Sequence, residues 1–191
     1  VNFEAAIQSN TKLIFLETPN SMTFELQDIA AVCAIAKNNS VLVAIDNSYA
    51  SPVFQQPAKL GADLVIHSAT KYLNGNHDVV AGVVCGSEKL IRQMMTEEFM
   101  TLGAIISPFD AFLVLRGLRT LKLRMTAHEK NTQQVIAFLE RHPKVKVVHY
   151  PFAAQNPQHE LAKKQMSGAG GLLSVELDAP DVASAERFCN A

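Results

Sequence analysis

Apolar runs separated by polar turns divide the first half of the chain into strands and a helix. The runs TKLIFLETP, VLVAIDNS and DLVIHS, at residues 11–19, 41–48 and 63–68, predict strands buried in a parallel sheet. Between the first two, residues 26–39 carry apolar side chains at helical spacing and end in Asn-Asn. This order of strand, helix and strand predicts an α/β fold.

A fourth apolar run, VVAGVVCG at residues 79–86, follows the third strand after a short connection. Neighbouring parallel strands need a crossover of about a dozen residues or more. We therefore predict that this strand runs antiparallel to the third or pairs elsewhere. Residues 49–62, between the second and third strands, are predicted to form a loop.

A long helical pattern opens the second half of the chain. Ser107 is predicted to cap this helix, Pro108 to occupy its first turn, and Pro143 to stop it near His142. Gly117 is a candidate kink. Beyond the helix we predict a strand, a helix, a glycine-rich turn, a strand and an amphipathic helix, at residues 144–151, 157–166, 167–171, 172–177 and 181–191.

We predict a domain boundary inside the long helix. Residues 1–123 are expected to form part of a large domain, and residues 124–191 the linking helix and the beginning of an incomplete smaller domain. The first residue is not Met, and the first residues lack the basic and apolar regions of a signal peptide. The last residues lie in a helical pattern without a cap. We therefore expect this chain to be a piece of a longer protein.

Composition and charge exclude several classes of partner. Of the 191 residues, 48% are hydrophobic and 18% are charged, as in a packed globular protein. The formal net charge is −1, which favours neither nucleic acid nor an anionic membrane as a partner. No apolar run is long enough to cross a bilayer. The three cysteines form no C-x-x-C pair, which favours a cytoplasmic, reducing setting.

The polar residues that could carry chemistry follow two of the predicted strands. Asp46 ends the second strand, and Ser68, Thr70 and Lys71 follow the third. Each alone is typical of a turn, a cap or a solvated lysine. The carboxyl ends of parallel strands meet at the edge of the sheet where ligands bind, so we expect these residues to lie together. A carboxylate, a hydroxyl pair and an amine are the groups that pyridoxal phosphate (PLP) requires.

Other classes of site have less support in the sequence. Neither the G-x-G-x-x-G pattern of nicotinamide enzymes nor a P-loop is present. His67, His77 and Asp78 lack a repeated metal-ligand spacing. The basic residues on the leucine-rich helix predict a solvated or subunit-facing stripe rather than a nucleic-acid site; they are Arg116, Arg119, Lys122 and Arg124. A stable fragment without catalytic activity stays open as an alternative.

Residues 44–84, AIDNSYASPVFQQPAKLGADLVIHSATKYLNGNHDVVAGVV, resemble the cofactor-binding core of the Cys/Met metabolism family of PLP-dependent enzymes. The resemblance extends to LIFLETP, SPFDAFLVLRGLRTLKLRM and HELAKKQMSGAGGLLSVEL. That family includes cystathionine γ-synthases, cystathionine β- and γ-lyases, methionine γ-lyases and O-acylhomoserine sulfhydrylases. The resemblance implies PLP as cofactor and a small amino acid as substrate.

By this resemblance Lys71 binds the cofactor covalently, Asp46 keeps the pyridine nitrogen protonated, and Ser68 and Thr70 hold the phosphate. The implied fold is that of the aspartate aminotransferase-like PLP-dependent transferases. They have a large domain with a mostly parallel sheet, followed by a small C-terminal α/β domain. This chain corresponds to the second half of the large domain and the start of the small one. The resemblance also implies a homo-oligomer, either a dimer or a tetramer.

The chain departs from the family pattern at two turns. Ser21, preceded by Asn20, stands where the family usually has Asn, and NGNHD, with His77, replaces N-G-H-S-D. Some cystathionine β-lyases have a similar Ser turn. We therefore expect carbon–sulfur elimination, with a slight preference for β- over γ-elimination, and with γ-replacement on an O-acylhomoserine as the alternative.

Three parts of the family site have no counterpart in this chain. They are an upstream glycine-containing phosphate loop with its stacking Tyr, an N-terminal Tyr-x-Arg, and a C-terminal Arg that binds the substrate carboxylate. We therefore expect little activity from the isolated chain.

Overall fold

The apolar runs of the first half form a four-stranded sheet in the computed structural model, which describes residues 2–190. Its strands, in spatial order, are β1 (Leu13–Glu17), β2 (Leu42–Asp46), β3 (Leu64–Ser68) and β4 (Gly82–Gly86). β1 and β2 are parallel, as are β2 and β3, whereas β4 pairs with β3 in the antiparallel direction. The predicted mostly parallel α/β sheet and the antiparallel fourth strand are thus confirmed.

β1 differs from the prediction of a fully buried strand. Ile14 and Leu16 are buried, but Leu13 and Phe15, which point to the opposite face, are 48% and 58% exposed. Neither side chain belongs to a hydrophobic cluster of the described residues, whereas Ile14 and Leu16 pack with α2. β2 lies between two strands and buries Val43, Ala44 and Ile45 in succession, as its continuous apolar run predicts.

The predicted first helix packs on the buried face of this sheet. It spans Ile29–Asn38 (α2, after a short α1 at Phe3–Ala6), and the side chain of its N-cap residue Asp28 accepts a hydrogen bond of 3.0 Å from Ala31 N. The buried side chains of α2 join those of β1, β2 and β3 in one hydrophobic cluster. The predicted loop at 49–62 contains two short helices, α3 (Ser51–Phe54) and a 3-10 helix (Pro57–Leu60). Each has a proline in its first turn, where a missing N–H has no cost.

Helices follow β4, and two of them replace the single long helix of the prediction. After α4 (Glu88–Met94), a π-helical turn (Met95–Phe99) and α5 (Met100–Leu102), none of which we predicted, come α6 (Pro108–Leu118) and α7 (Leu121–Leu139). The cap at Ser107 is confirmed, since its hydroxyl accepts a hydrogen bond of 3.0 Å from Asp110 N.

Gly117 has a different role from the predicted kink. A Cβ atom at this position would overlap the backbone carbonyl of Asn74. The glycine therefore allows α6 to lie directly against the loop that follows β3.

The remaining residues form a small antiparallel pair of strands with two helices. They are β5 (Val145–His149), α8 (His159–Gln165), β6 (Ser174–Leu177) and α9 (Val182–Cys189). Val1 and Ala191, which the predicted domain ranges include, lie outside the described residues.

Both predicted domains contribute to one hydrophobic cluster. It unites residues before and after position 123, among them Leu26, Phe54, Met125, Tyr150 and Met166. Hydrogen bonds also link the two predicted domains. The side chain of Gln158, the residue before α8, accepts from Leu26 N and donates to Leu26 O, each at 2.7 Å. The boundary itself stays a prediction. Within residues 2–190, no helix has the length and apolar character needed to cross a membrane.

Candidate active site

The carboxyl ends of β1, β2 and β3 open into a cavity of about 560 Å³. Glu17 is the last residue of β1 and pairs in register with Asp46, the last residue of β2. Ser68 ends β3, and Lys71 follows three residues later. Polar and aromatic side chains from these strand ends form most of the lining, which comprises Glu17, Pro19, Ser21, Phe24, Asp46, Ser48, Tyr49, Ser68, Lys71, Tyr72 and Leu172.

Three of the four predicted site residues line this cavity, and Thr70 does not. Asp46, Ser68 and Lys71 all contribute to the wall. The Thr70 hydroxyl instead accepts a hydrogen bond of 3.0 Å from Ala81 N and lies 3.3 Å from Ala81 O, to which it donates. This contact connects the loop after β3 to the residue before β4. A role of Thr70 in phosphate binding stays a prediction.

The Asp46 carboxylate is half-buried and held in place by the turn that follows β2. Its Oδ1 accepts a hydrogen bond of 2.8 Å from Ser48 N. The Ser48 hydroxyl in turn accepts a bond of 2.6 Å from Ser68 N, so the ends of β2 and β3 are joined beside the cavity. His67 is buried, and this burial lowers its pKa, although the charge of Asp46 opposes the effect. A neutral His67 leaves the Asp46 carboxylate available to a cationic ligand group.

Lys71 sits in a tight turn directly after β3. Its backbone N–H donates to Ser68 O at 3.1 Å, and its carbonyl accepts from Gly75 N at 2.9 Å. Within residues 2–190, no carboxylate lies within ion-pair distance of the Lys71 amine. Among the described residues, the Lys71 amine is therefore not held away from the cavity by an ion pair.

Tyrosine hydroxyls attach the glycine-rich segment 167–171 to the cavity wall. Tyr49 Oη donates to Leu172 O at 2.9 Å, and Tyr72 Oη accepts from Gly171 N at 2.7 Å. Tyr150 Oη donates to Gly170 O at 3.2 Å. Burial raises the pKa of all three tyrosines, so they stay protonated at neutral pH. No sequence pattern indicates these contacts, since each joins residues at least 20 positions apart.

At the turn after β1, Ser21 and Asn20 have different roles. The Asn20 Oδ1 accepts hydrogen bonds from the backbone N–H groups of Met22, Thr23 and Phe24, at 3.1, 2.9 and 2.9 Å. That amide is therefore used within the turn. The Ser21 hydroxyl lines the cavity and donates to the carboxylate of Glu17. Ser21 thus presents oxygen lone pairs, and no N–H donor, at the place where the family pattern has Asn.

The predicted basic stripe is not a uniform surface. Arg116 is 3.7 Å from Asp78, a carboxylate that also accepts a bond of 2.8 Å from Asn74. Arg124 is partly buried and donates to backbone carbonyls. The prediction of a solvated or subunit-facing residue is therefore wrong for Arg124. No group of three or more metal-ligating side chains occurs within residues 2–190.

The donor set of the cavity fits PLP. Asp46 offers a carboxylate for a protonated ring nitrogen, Lys71 an amine for the aldehyde carbon, and Ser68 a hydroxyl for the phosphate. A volume of about 560 Å³ lies in the ordinary range for cofactor and small-molecule sites. Fold and site together are those of a PLP-binding α/β protein.

Comparisons with known proteins identify the family. The family model described as "Cys/Met metabolism PLP-dependent enzyme" matches residues 1–191. The chain is 50% identical over 176 residues to an L-methionine gamma-lyase from Porphyromonas gingivalis, covering 91% of this chain and 44% of the relative. It is 45% identical over 173 residues to a cystathionine beta-lyase from Coxiella burnetii, covering 90% and 45%. The chain therefore belongs to the Cys/Met metabolism family of PLP-dependent enzymes.

A solved structure of a cystathionine gamma synthase has a backbone closely similar to that of this chain. It comes from Xanthomonas oryzae pv. oryzae and is in complex with aminoacrylate and cysteine, at a TM-score of 0.88 and 40% identity. The match covers 93% of this chain and 46% of that protein. The chain spans less than half the length of the relatives that it matches. The resemblance inferred from the sequence is confirmed, and so is the PLP-dependent fold.

Proposed function

We propose that the protein carrying this chain catalyses PLP-dependent elimination at a carbon–sulfur bond of a sulfur-containing amino acid. The observation that carries the proposal is the meeting of Lys71, Asp46 and Ser68 in one cavity at the carboxyl edge of the sheet. Relatives named as methionine and cystathionine lyases support this choice of reaction.

Three residues that line the cavity, together with Thr70, have a part in this proposal. Bound PLP supplies an electron sink for the bond that breaks at the substrate Cα. Lys71 holds the cofactor through its amine and carries the proton that leaves Cα. Asp46, oriented by Ser48 N, holds the proton on the ring nitrogen. Ser68 binds the phosphate, and Thr70 assists it from the same turn.

The preferred reaction is β-elimination, with γ-elimination second. The support is the Ser21 turn, which resembles that of some cystathionine β-lyases and places a hydroxyl at the cavity wall. A group that accepts hydrogen bonds contacts the substrate differently from an amide that also donates them. The alternative is γ-replacement on an O-acylhomoserine, which the similarity to a solved cystathionine gamma synthase favours.

Identification of the products from cystathionine distinguishes these reactions. We expect the full-length protein to release pyruvate, ammonia and homocysteine, which are the products of β-elimination with uptake of water. Release of 2-oxobutyrate with cysteine would contradict the preference for the β-position. Rapid γ-replacement on O-succinylhomoserine by cysteine, without elimination, would favour the alternative.

The helix α6 supports the further proposal of a homo-oligomer, a dimer or a tetramer. One side of α6 packs inward through Leu113 and Val114, whereas Phe109, Phe112 and Leu115 are each 60% exposed or more. Further large apolar side chains, Leu102 and Ile105, are exposed nearby, just before α6. Several large apolar side chains exposed on one helix are typical of a protein interface. A second copy of the protein matches it, because the surface is apolar and an interface between two copies is self-complementary.

Exchange of Phe112 for Glu tests this interface. We expect the full-length protein to sediment as a dimer or tetramer, and the variant to shift towards the monomer because a carboxylate would be buried between copies. Val182→Glu, at an exposed position of α9, is the matched control and is expected to leave the mass unchanged. A monomeric wild-type protein would contradict the proposal. The exposed apolar side of α6 would then be covered by another part of the same protein.

We also propose a cytoplasmic location. Cys33, Cys85 and Cys189 are free thiols, and free thiols persist in reducing compartments.

A further inference from the structure

The loop after β3, residues 69–76, carries Lys71 and contacts the guanidinium of Arg124 through Tyr72 and Gly75. Arg124 Nη1 donates to Tyr72 O at 2.7 Å, and Nη2 donates to Gly117 O at 2.9 Å. Its Nε donates to Thr120 Oγ1 at 3.0 Å. The three acceptors lie on the loop, at the end of α6 and before the start of α7. One side chain thus joins three separate segments.

Both the backbone carbonyl and the side-chain hydroxyl of Tyr72, the residue after Lys71, accept hydrogen bonds. Its carbonyl is bound by Arg124, and its hydroxyl accepts the bond from Gly171 N. On either side the loop has its own backbone bonds, from Lys71 N to Ser68 O and from Gly75 N to Lys71 O. These internal bonds shape the turn, and Thr70 attaches its first residues to Ala81. Arg124 and Gly171, both from the second half of the chain, attach it at Tyr72, the residue next to Lys71.

Two glycines make room for this arrangement. Gly75 has a φ of +75°, and a Cβ atom there would overlap the guanidinium of Arg124. Gly117 leaves no space for a side chain between α6 and Asn74 O. Gly75 therefore lets the backbone of the loop lie against the guanidinium, and Gly117 lets α6 approach the same loop. Burial lowers the pKa of Arg124, yet an arginine stays charged at any physiological pH.

We propose that Arg124 is a positioning residue for Lys71. Its planar guanidinium fixes the Tyr72 carbonyl and thereby sets where the Lys71 amine enters the cavity. A lysine at position 124 keeps the charge, but its single ammonium does not match three acceptors spread around a planar fork. The proposal rests on the proposed function only in that Lys71 is taken as the lysine that binds PLP.

Amide hydrogen exchange and cofactor labelling test this role in the full-length protein. The variants are Arg124→Lys and Thr120→Val. The second removes the hydroxyl that accepts from Nε and that also donates to Gly117 O at 3.1 Å, and it leaves the Arg124 bond to Tyr72 O in place. The control is Arg119→Lys, an exposed arginine at the same helix junction. Exchange is measured on peptides covering residues 69–76. Labelling is measured as the pyridoxyl group retained on Lys71 after incubation with PLP and borohydride reduction.

We expect faster exchange of the loop amides in Arg124→Lys by about tenfold to a hundredfold, the range for losing hydrogen bonds to a charged group. The yield of pyridoxyl-Lys71 at limiting PLP should fall by about tenfold. Thr120→Val should show a smaller change of the same kind, and the control none. For Arg124→Ala, added methylguanidinium should restore part of both signals.

Two results would overturn the proposal. One is unchanged loop exchange and labelling in both Arg124→Lys and Thr120→Val. The other is an equal loss of protection in the loop, the sheet and α7, which would make Arg124 a general stability residue. A wild-type protein that takes no label on Lys71 would instead contradict the proposed function, and the exchange result would still decide whether Arg124 holds the loop.

Discussion

Lys71→Ala is expected to lower kcat/KM of the full-length protein by about 100- to 10,000-fold or more, the range for loss of a positioned acid–base group. The amine both attaches the cofactor and carries the Cα proton, so its removal affects two steps of the proposed reaction. The visible absorption of bound PLP should change at the same time. Steady-state kinetics and an absorption spectrum of the purified protein with added PLP measure the two effects.

Lys59→Ala is the matched control for this variant. Lys59 is an exposed lysine of the 3-10 helix before β3, and it does not line the cavity. We expect wild-type kinetics and spectrum from it. Borohydride reduction and peptide mapping give an independent result, because a pyridoxyl group on Lys59 or Lys89 instead of Lys71 would refute the assignment. A protein without any PLP band would leave the reading of a non-catalytic fragment in place.

Asp46→Asn is expected to lower kcat by about 100- to 1,000-fold while changing the affinity for PLP much less. An amide has nearly the same shape and can still accept the bond from Ser48 N, but it does not hold a proton on the pyridine nitrogen. Loss of one preorganised electrostatic contact in an active site has an effect of about this size. Kinetics at saturating PLP, together with a PLP titration, separate turnover from cofactor binding.

Asp63→Asn provides the comparison for Asp46. Its carboxylate accepts a bond of 2.8 Å from Val43 N on the same sheet, outside the cavity. We expect this change to affect stability and to leave turnover almost unaltered. Turnover close to wild type in Asp46→Asn, or equal losses in the two variants, would argue against the role given to Asp46.

The features that the sequence predicted correctly are those governed by local pattern and sheet geometry. Continuous apolar runs identify β2 and β3 as strands, and β2 buries Val43, Ala44 and Ile45 in succession because both of its faces are covered. The convergence of Asp46, Ser68 and Lys71 follows from the rule that the carboxyl ends of parallel strands share an edge. Local capping also holds, since Ser107 needs only the next three residues to form its hydrogen bond.

The features that escaped prediction depend on residues distant in the chain. Tyr72 and Gly171 are 99 positions apart, and Arg124 reaches Tyr72 across 52 positions. No periodicity encodes such pairs. The hydrogen bonds between the Thr70 hydroxyl and Ala81 also join two separate turns, and no local pattern indicates them. Phe15 is exposed because no hydrophobic cluster of the described residues covers its face of β1, and an apolar run alone does not specify which face is covered.

The hydrophobic cluster shared by the two halves of the chain has a consequence for how the protein unfolds. Phe54, from the segment after β2, packs with Met125 of α7 and with Met166 and Tyr150 near the C-terminal strands. Unfolding of either half would expose the members of this cluster that belong to the other half. The cluster of α2 with β1, β2 and β3 lies within the first half alone, so the shared cluster is the part that couples the unfolding of the two halves. The cavity wall at Tyr49 and Leu172 is also built from both halves and therefore depends on the same coupling.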